Sequence, residues 1–506
     1  MKQHGGSQTV KRNAGSAAAL LVALLTAASA SAATWNVDAD GNWTDPNNWD
    51  TASYPDGATA VADFDIDVTA DRTVTLDDDI TLNRLYFVPD GDGVFTLDRS
   101  GAETLTMDGD SPLVEVRVNG NYQGPGPVID VPVIVGGTGS GAATFGAHDD
   151  GAGDRIPLTF AQSVTLNRDL EFDISNYARQ IKIEGNLTGT GDVTVGGTNG
   201  SVNLDGADND FNGDLTILKR SVTARSLPDN LNLTVAAGTT LSMTSAHTAH
   251  FVFDSIAGSG GISVGWNTDD SSITLHVASG TQQIDASYQG TGFHKTGSGT
   301  AWLNNTWDTH TSATVEAGTL VINASDIMCE SDDDLTVYTG ATLGIGDGVT
   351  YAPDKAVTFN AGSTLTGSGT YDRPDGDWTA PADFTVAPGM STGELRVDIG
   401  TGNTLVLNGT SELAIELDGA GNDLLTVVGD LDLGGAALNL SGSPDDGVWY
   451  TVVTADSITG SPGSVTSGYD VNVTGTEVQV MIPEPATLAM LAIGGVGLLV
   501  RHRRSA

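Results

Sequence analysis

The chain has 506 residues, of which 21 are Lys or Arg and 64 are Asp or Glu, and it holds a single cysteine. A net charge of −43 repels nucleic acid and anionic membrane surfaces, and one cysteine excludes an intramolecular disulfide framework. With 65 glycines and 39% apolar residues, the composition suits a thin core repeated along an axis, and the period-two recurrence of Leu and β-branched residues argues against disorder.

The N-terminus reads as a secretory signal over residues 1–32. Lys2, Lys11 and Arg12 form a positive start, Ala17 to Ala28 is apolar, and Ala30-Ser31-Ala32 is a small-residue cleavage box. The mature chain is expected to begin near Ala33. Without this signal and the C-terminal tail, the body carries about −48 charges, a field that attracts cations and discourages edge-to-edge strand association.

Trp35, Trp43 and Trp49 follow among turn signals such as Asp40-Gly41 and Pro46-Asn47-Asn48. They can cover an open sheet end or form a sugar-stacking platform. The cap is favoured because an open β end needs covering. Asp63 to Val68 alternates strictly, with Phe64, Ile66 and Val68 facing in. The runs Asp77-Asp78-Asp79 and 332–334 raise calcium as the one candidate cofactor, although neither matches an EF-hand loop and a solvated acidic turn is the default. Short strands with Gly, Asp and Asn turns continue from 90 to 240 without a sustained 3.6-residue period, which predicts solenoid rungs or a large sandwich. Residues 395–481 look different. Ser411 to Leu417 alternates, Val448 to Val453 is aromatic, and Pro444-Asp445-Asp446-Gly447 is a turn, so this stretch is read as terminal rungs or a small β cap.

Two units in the body repeat. Asn209, Phe211 and Gly213 form an Asn-x-aromatic-x-Gly turn. Lys295-Thr296-Gly297-Ser298-Gly299-Thr300 leads through Trp307 to Ala317-Gly318-Thr319-Leu320, with His310 to Ser312 in place of glycines. Small-Gly-x-Thr-Leu steps recur at 236–241, 338–343 and 360–365, and Ala387-Pro388-Gly389-Met390-Ser391 is a Pro-Gly turn. These residues resemble autotransporter-associated β-strand repeats. The resemblance implies a right-handed parallel β-helix used as a passive stalk, here over 33–394. Gly at the corners and Thr and Val on the flats suit such rungs. With rungs of roughly 20–25 residues, the body would hold about 20 of them and measure on the order of 90–100 Å.

The tail from Ile482 to Ala506 has three parts. Pro483-Glu484-Pro485 resists helix and presents Glu484 in an extended segment. Ala486 to Val500 carries no charge and is shorter than the roughly 20 residues a crossing helix prefers. Arg501, Arg503 and Arg504 favour staying on the cytoplasmic side. The three parts, in this order at the terminus, resemble the PEP-CTERM sorting signal read by exosortase transpeptidases. The resemblance implies sorting by an exosortase-type transpeptidase after passage through the secretion machinery. It also implies export to the envelope surface or the matrix beyond, with the C-terminal segment as a transient membrane anchor.

Catalytic patterns are sparse. The Gly-rich stretch Gly136-Gly137-Thr138-Gly139 lacks a following helix, no Gly-x-Ser-x-Gly stands at a strand-to-helix elbow, and there is no P-loop or His-Glu-x-x-His. His247 and His250 would point to opposite faces of a strand. Basic residues such as Arg155, Arg168, Arg179, Lys182, Lys219, Arg220 and Arg225 are scattered, and paired carboxylates are too common here to single out a glycosidase. Cys329 is read as a buried small residue. The expectation is a non-enzymatic surface or matrix protein with no catalytic or metal residues. The alternative is a β-helix that binds or cleaves an extracellular polysaccharide, and a groove joining carboxylates, a cation and a base would distinguish the two.

Overall fold

The computed structural model describes residues 32–484 apart from 90, 119–124, 150–155, 176–179, 199, 244–249, 266–270, 326, 328–333, 375, 391 and 419–420. The described residues are all-β and wind as a parallel solenoid of about 16 turns. In the N-terminal half each turn lays one strand on each of three faces. One face stacks Ala33–Thr34, Val61–Phe64, Arg84–Phe87, Leu113–Val118, Ala143–Asp149 and Leu170–Ile174, all parallel. A second stacks Arg72–Leu76, Phe95–Arg99, Val128–Ile129, Pro157–Phe160 and Gln180–Ile183. The third runs from Ile80–Leu82 to Asp210–Phe211. A further parallel face begins at Thr281–Ile284 and continues to Ser464–Val465.

Period-two alternation puts every second side chain inside, and parallel register then aligns those side chains from turn to turn. One such column runs Ala62, Leu85, Val114, Phe145, Phe172, Val195, and every member is buried. Corners are tight. Gly189 adopts φ +111, and a Cβ there would overlap the Leu166 carbonyl of the preceding turn.

The turns are fewer than the roughly 20 that their average length suggested. Register steps explain the difference. Arg84 pairs with Leu113 and Leu113 with Thr144, steps of about 30 residues, whereas Leu215 pairs with Leu233 and Thr300 with Thr319. Long corners in the N-terminal half, and again where Glu394 pairs with Leu424, consume chain without adding turns, so the rod measures about 75–80 Å at the usual strand spacing.

Both ends are covered. At the start, Trp35, Trp43 and Trp49 pack on one another and on Phe64 with ring centroids between 4.8 and 6.0 Å apart. At the far end, Glu477–Met481 pairs antiparallel with both Tyr450–Thr459 and Asp470–Val473, turning the last edge away from further parallel addition.

Candidate functional site

The sorting motif emerges from this terminal cap. The strand Glu477–Met481 delivers Ile482, whose carbonyl accepts from the Gly447 N–H at 2.7 Å, and Asp446 bridges Ile482. Pro483 and Glu484 follow, both exposed. The chain therefore leaves the solenoid at a fixed point, with Glu484 in solvent. Pro485, Arg501, Arg503 and Arg504 lie outside the described residues, as does Ala30. Ala32 is half-buried just before the first strand. No helix among the described residues is long and apolar enough to cross a membrane.

The tryptophans form no platform. Trp35 and Trp43 are 0% exposed and Trp49 3%. Their ring N–H groups donate inward, to Val37, Pro55 and Trp43 carbonyls respectively. A sugar needs an open ring face, and these rings cover the first turn instead.

The acidic run at 77–79 is largely structural. Asp77 accepts from the Thr44 N–H and hydroxyl, and Asp79 from the Thr104 N–H and hydroxyl. Asp169 accepts from the Asp192 N–H one turn on, and Asp192 from the Asp214 N–H. Carboxylates at the corners thus bond backbone donors on neighbouring turns. Among the described residues no group of three or more His, Cys, Asp or Glu side chains is arranged to hold a metal ion. Asp332, Asp333, His247 and Cys329 lie outside the described residues. His250 Nδ1 is 2.7 Å from the Ser272 hydroxyl. Lys219 and Arg220 are exposed on a turn where Arg220 adopts φ 65.

One outward column does gather chemistry. Register aligns Asp63, Tyr86, Glu115, Gly146 and Asp173 on successive turns of the first face, with Arg117 beside His148. The Arg117 guanidinium lies 3.8 Å over the Tyr86 ring and 2.7 Å from Glu115. Gly146 leaves a gap, since a Cβ there would stand 3.0 Å from His148 Nε2. The His148 ring fills it, with Nε2 3.7 Å from both Glu115 and Asp173 and Nδ1 2.6 Å from the Ser175 hydroxyl. Burial, then the neighbouring Asp65 charge, raises the Asp63 carboxyl above its ordinary range. A cation, an imidazole and three carboxylates therefore share one face over five turns.

Three buried charged residues, Asp108, Arg168 and Lys295, were not legible as a pair or as a site. Arg168 donates to Asp108 at 3.1 Å and to the Gly109 and Gly141 carbonyls, and Thr138 also donates to Asp108. Burial pushes the Asp108 carboxyl up, but the Thr138 and Gly109 hydrogen bonds and Arg168 outweigh it and hold it low. The 30-residue spacing of Asp108, Thr138 and Arg168 was the available signal. Lys295 stands in an inward column between Leu275 and Val315, 0% exposed, with Nζ donating to the Thr296, Gly297 and Ala317 carbonyls. Burial lowers its ammonium to about 8. Asn209 is also fully engaged. Its side chain accepts from the Leu187 N–H and donates to the Gly206 and Ser226 carbonyls, while Phe211 points inward.

Residues 482–504 match the PEP-CTERM protein-sorting motif. No curated protein matches the chain. Among solved structures, the crystal structure of the Haemophilus influenzae Hap adhesin matches with a TM-score of 0.24 and 12% sequence identity, over 84% of this chain and 64% of the adhesin chain. That likeness is too loose to transfer detail. The chain is a parallel β-solenoid that carries a PEP-CTERM sorting motif at its C-terminal end.

Proposed function

We propose that the protein is an exported, non-enzymatic component of the cell surface or extracellular matrix, a rigid acidic rod used for adhesion, spacing or matrix structure. In this reading the signal at 1–32 exports the chain. An exosortase-type transpeptidase then recognises Pro483-Glu484-Pro485 and processes the transiently anchored tail. The observation that carries it is the exit of the matched motif from a folded terminal cap with Glu484 exposed. Substituting Glu484→Gln should leave the full-length protein in the membrane fraction with its tail intact. Unchanged processing and release of E484Q would overturn the sorting role.

A second reading has a specific observation in its favour. The Glu115, His148, Asp173 and Arg117 cluster provides two carboxylates, an imidazole and a cation on one face, the convergence expected of a polysaccharide-cleaving β-helix. Purified body incubated with neutral and anionic polysaccharides separates the two. The scaffold reading expects no new reducing or unsaturated ends. Product release that disappears in Glu115→Gln and His148→Ala would replace it with the enzymatic one.

A further inference from the structure

Apolar side chains exposed on the solenoid are mostly isolated. Leu218, Tyr338 and Met390 stand singly, whereas Val448 and Trp449 are neighbours, 43% and 45% exposed. The turn that bears them is the one that grips the exit of the tail, through the Gly447 N–H to the Ile482 carbonyl at 2.7 Å and the Asp446 bridge to Ile482. The turn is also fixed from its other side. The Asp445 N–H donates to the Tyr450 hydroxyl at 2.9 Å, and Tyr450 packs against the core. Val448 and Trp449 are thus held outward on an anchored turn.

The uncharged run begins at Ala486, four residues beyond Ile482. Four extended residues reach at most about 14 Å. Any surface that receives the run is therefore held close to Trp449. Two side chains are far too few for a protein interface, which needs roughly 800 Å² from each partner. A single Trp is a sufficient interfacial anchor, because its ring is apolar and its N–H can bond at the headgroup level. Asp445, Asp446 and Glu484 flank the pair, which favours a zwitterionic over an anionic surface.

We propose that Val448 and Trp449 form an interfacial anchor that seats the C-terminal end of the solenoid on the lipid bilayer receiving the tail. The proposal rests on reading Ala486 to Val500 as a membrane segment. It adds that the rod is docked at its base by a side-chain contact and does not hang from the tail alone.

The full chain reconstituted into phosphatidylcholine vesicles with brominated acyl chains tests it. Trp449 is one of 8 tryptophans, and Trp35, Trp43, Trp49, Trp307 and Trp378 are buried. Bromolipid should remove a fraction of the emission near one eighth, more with bromines close to the headgroup than at the chain end. Trp449→Phe should abolish that loss while the protein still floats with the vesicles, and Val448→Asp should reduce it. Vesicle-bound protein with no quenching, or with quenching unchanged in W449F, overturns the anchor. Protein that does not float with the vesicles overturns the membrane reading of the tail on which the anchor rests.

Discussion

Lys295 is a charged residue in a core column, and its cost can be read from pH. Its ammonium is lowered from 10.5 to about 8 by burial, so between those values the unfolded chain binds more protons than the folded one. Stability from this group therefore rises as pH climbs through about 8 toward 10.5, and below about 8 the buried charge costs at most about 3 kcal/mol. The three carbonyls that Nζ bonds favour the charged form and reduce that cost. Lys295→Met keeps the stem and deletes the charge. Denaturation midpoints of the wild type should rise relative to K295M between about pH 7 and pH 10. Parallel profiles would show that Lys295 is not penalised by burial. The same residue marks a limit of sequence reading. Lys295 was legible as the first residue of a repeat unit, but nothing local told that its side chain turns inward or which carbonyls would surround the ammonium, because Ala317 lies a full turn away. The Glu115, His148 and Asp173 cluster escaped for the same reason. Its members are spaced by corners of unequal length, so their alignment follows from register and from no short motif.

At the scale of elements, the Trp35, Trp43 and Trp49 segment is the part whose role follows most directly from its residues. Large aromatics among turns at the start of a repeating body suit an open end that needs covering better than a sugar platform, and the packing on Phe64 covers it. Trp43 is fully buried and its ring N–H bonds the Pro55 carbonyl at 3.0 Å. Trp43→Ala should cost about 3–5 kcal/mol. In a solenoid each turn contacts only its neighbours, so the damage should stay local. Hydrogen exchange should lose protection over the first turns, Ala33 to about Leu97, while strands beyond Thr281 keep theirs. Uniform loss along the rod, or none, would contradict a cap of this kind. The Gly and Thr steps announced the strand class equally well. The number of turns was less legible, since long corners in the N-terminal half look locally like additional short strands.

For the whole molecule the dominant fact is charge. The body's net charge of about −48 is wound into about 16 turns, and corner carboxylates such as Asp169, Asp192 and Asp214 succeed one another from turn to turn. Strand spacing of about 4.8 Å lies well inside the screening length at low salt, about 30 Å at 0.01 M, and falls outside strong interaction only for distant turns at about 0.15 M, where that length is near 8 Å. The unfolded chain separates the same charges more widely and is relieved less by salt. Sodium chloride should therefore raise the thermal midpoint by several degrees across that range, with most of the rise complete by about 0.15 M. Calcium chloride at matched ionic strength should add nothing further, because Asp77 and Asp79 already accept hydrogen bonds from Thr44 and Thr104. A midpoint that is flat or falls with sodium chloride would mean that repulsion along the rod is already neutralised by its own contacts. A rise specific to calcium and reversed by chelator would instead make the acidic corners a cation site, and the solenoid a calcium-stiffened rod.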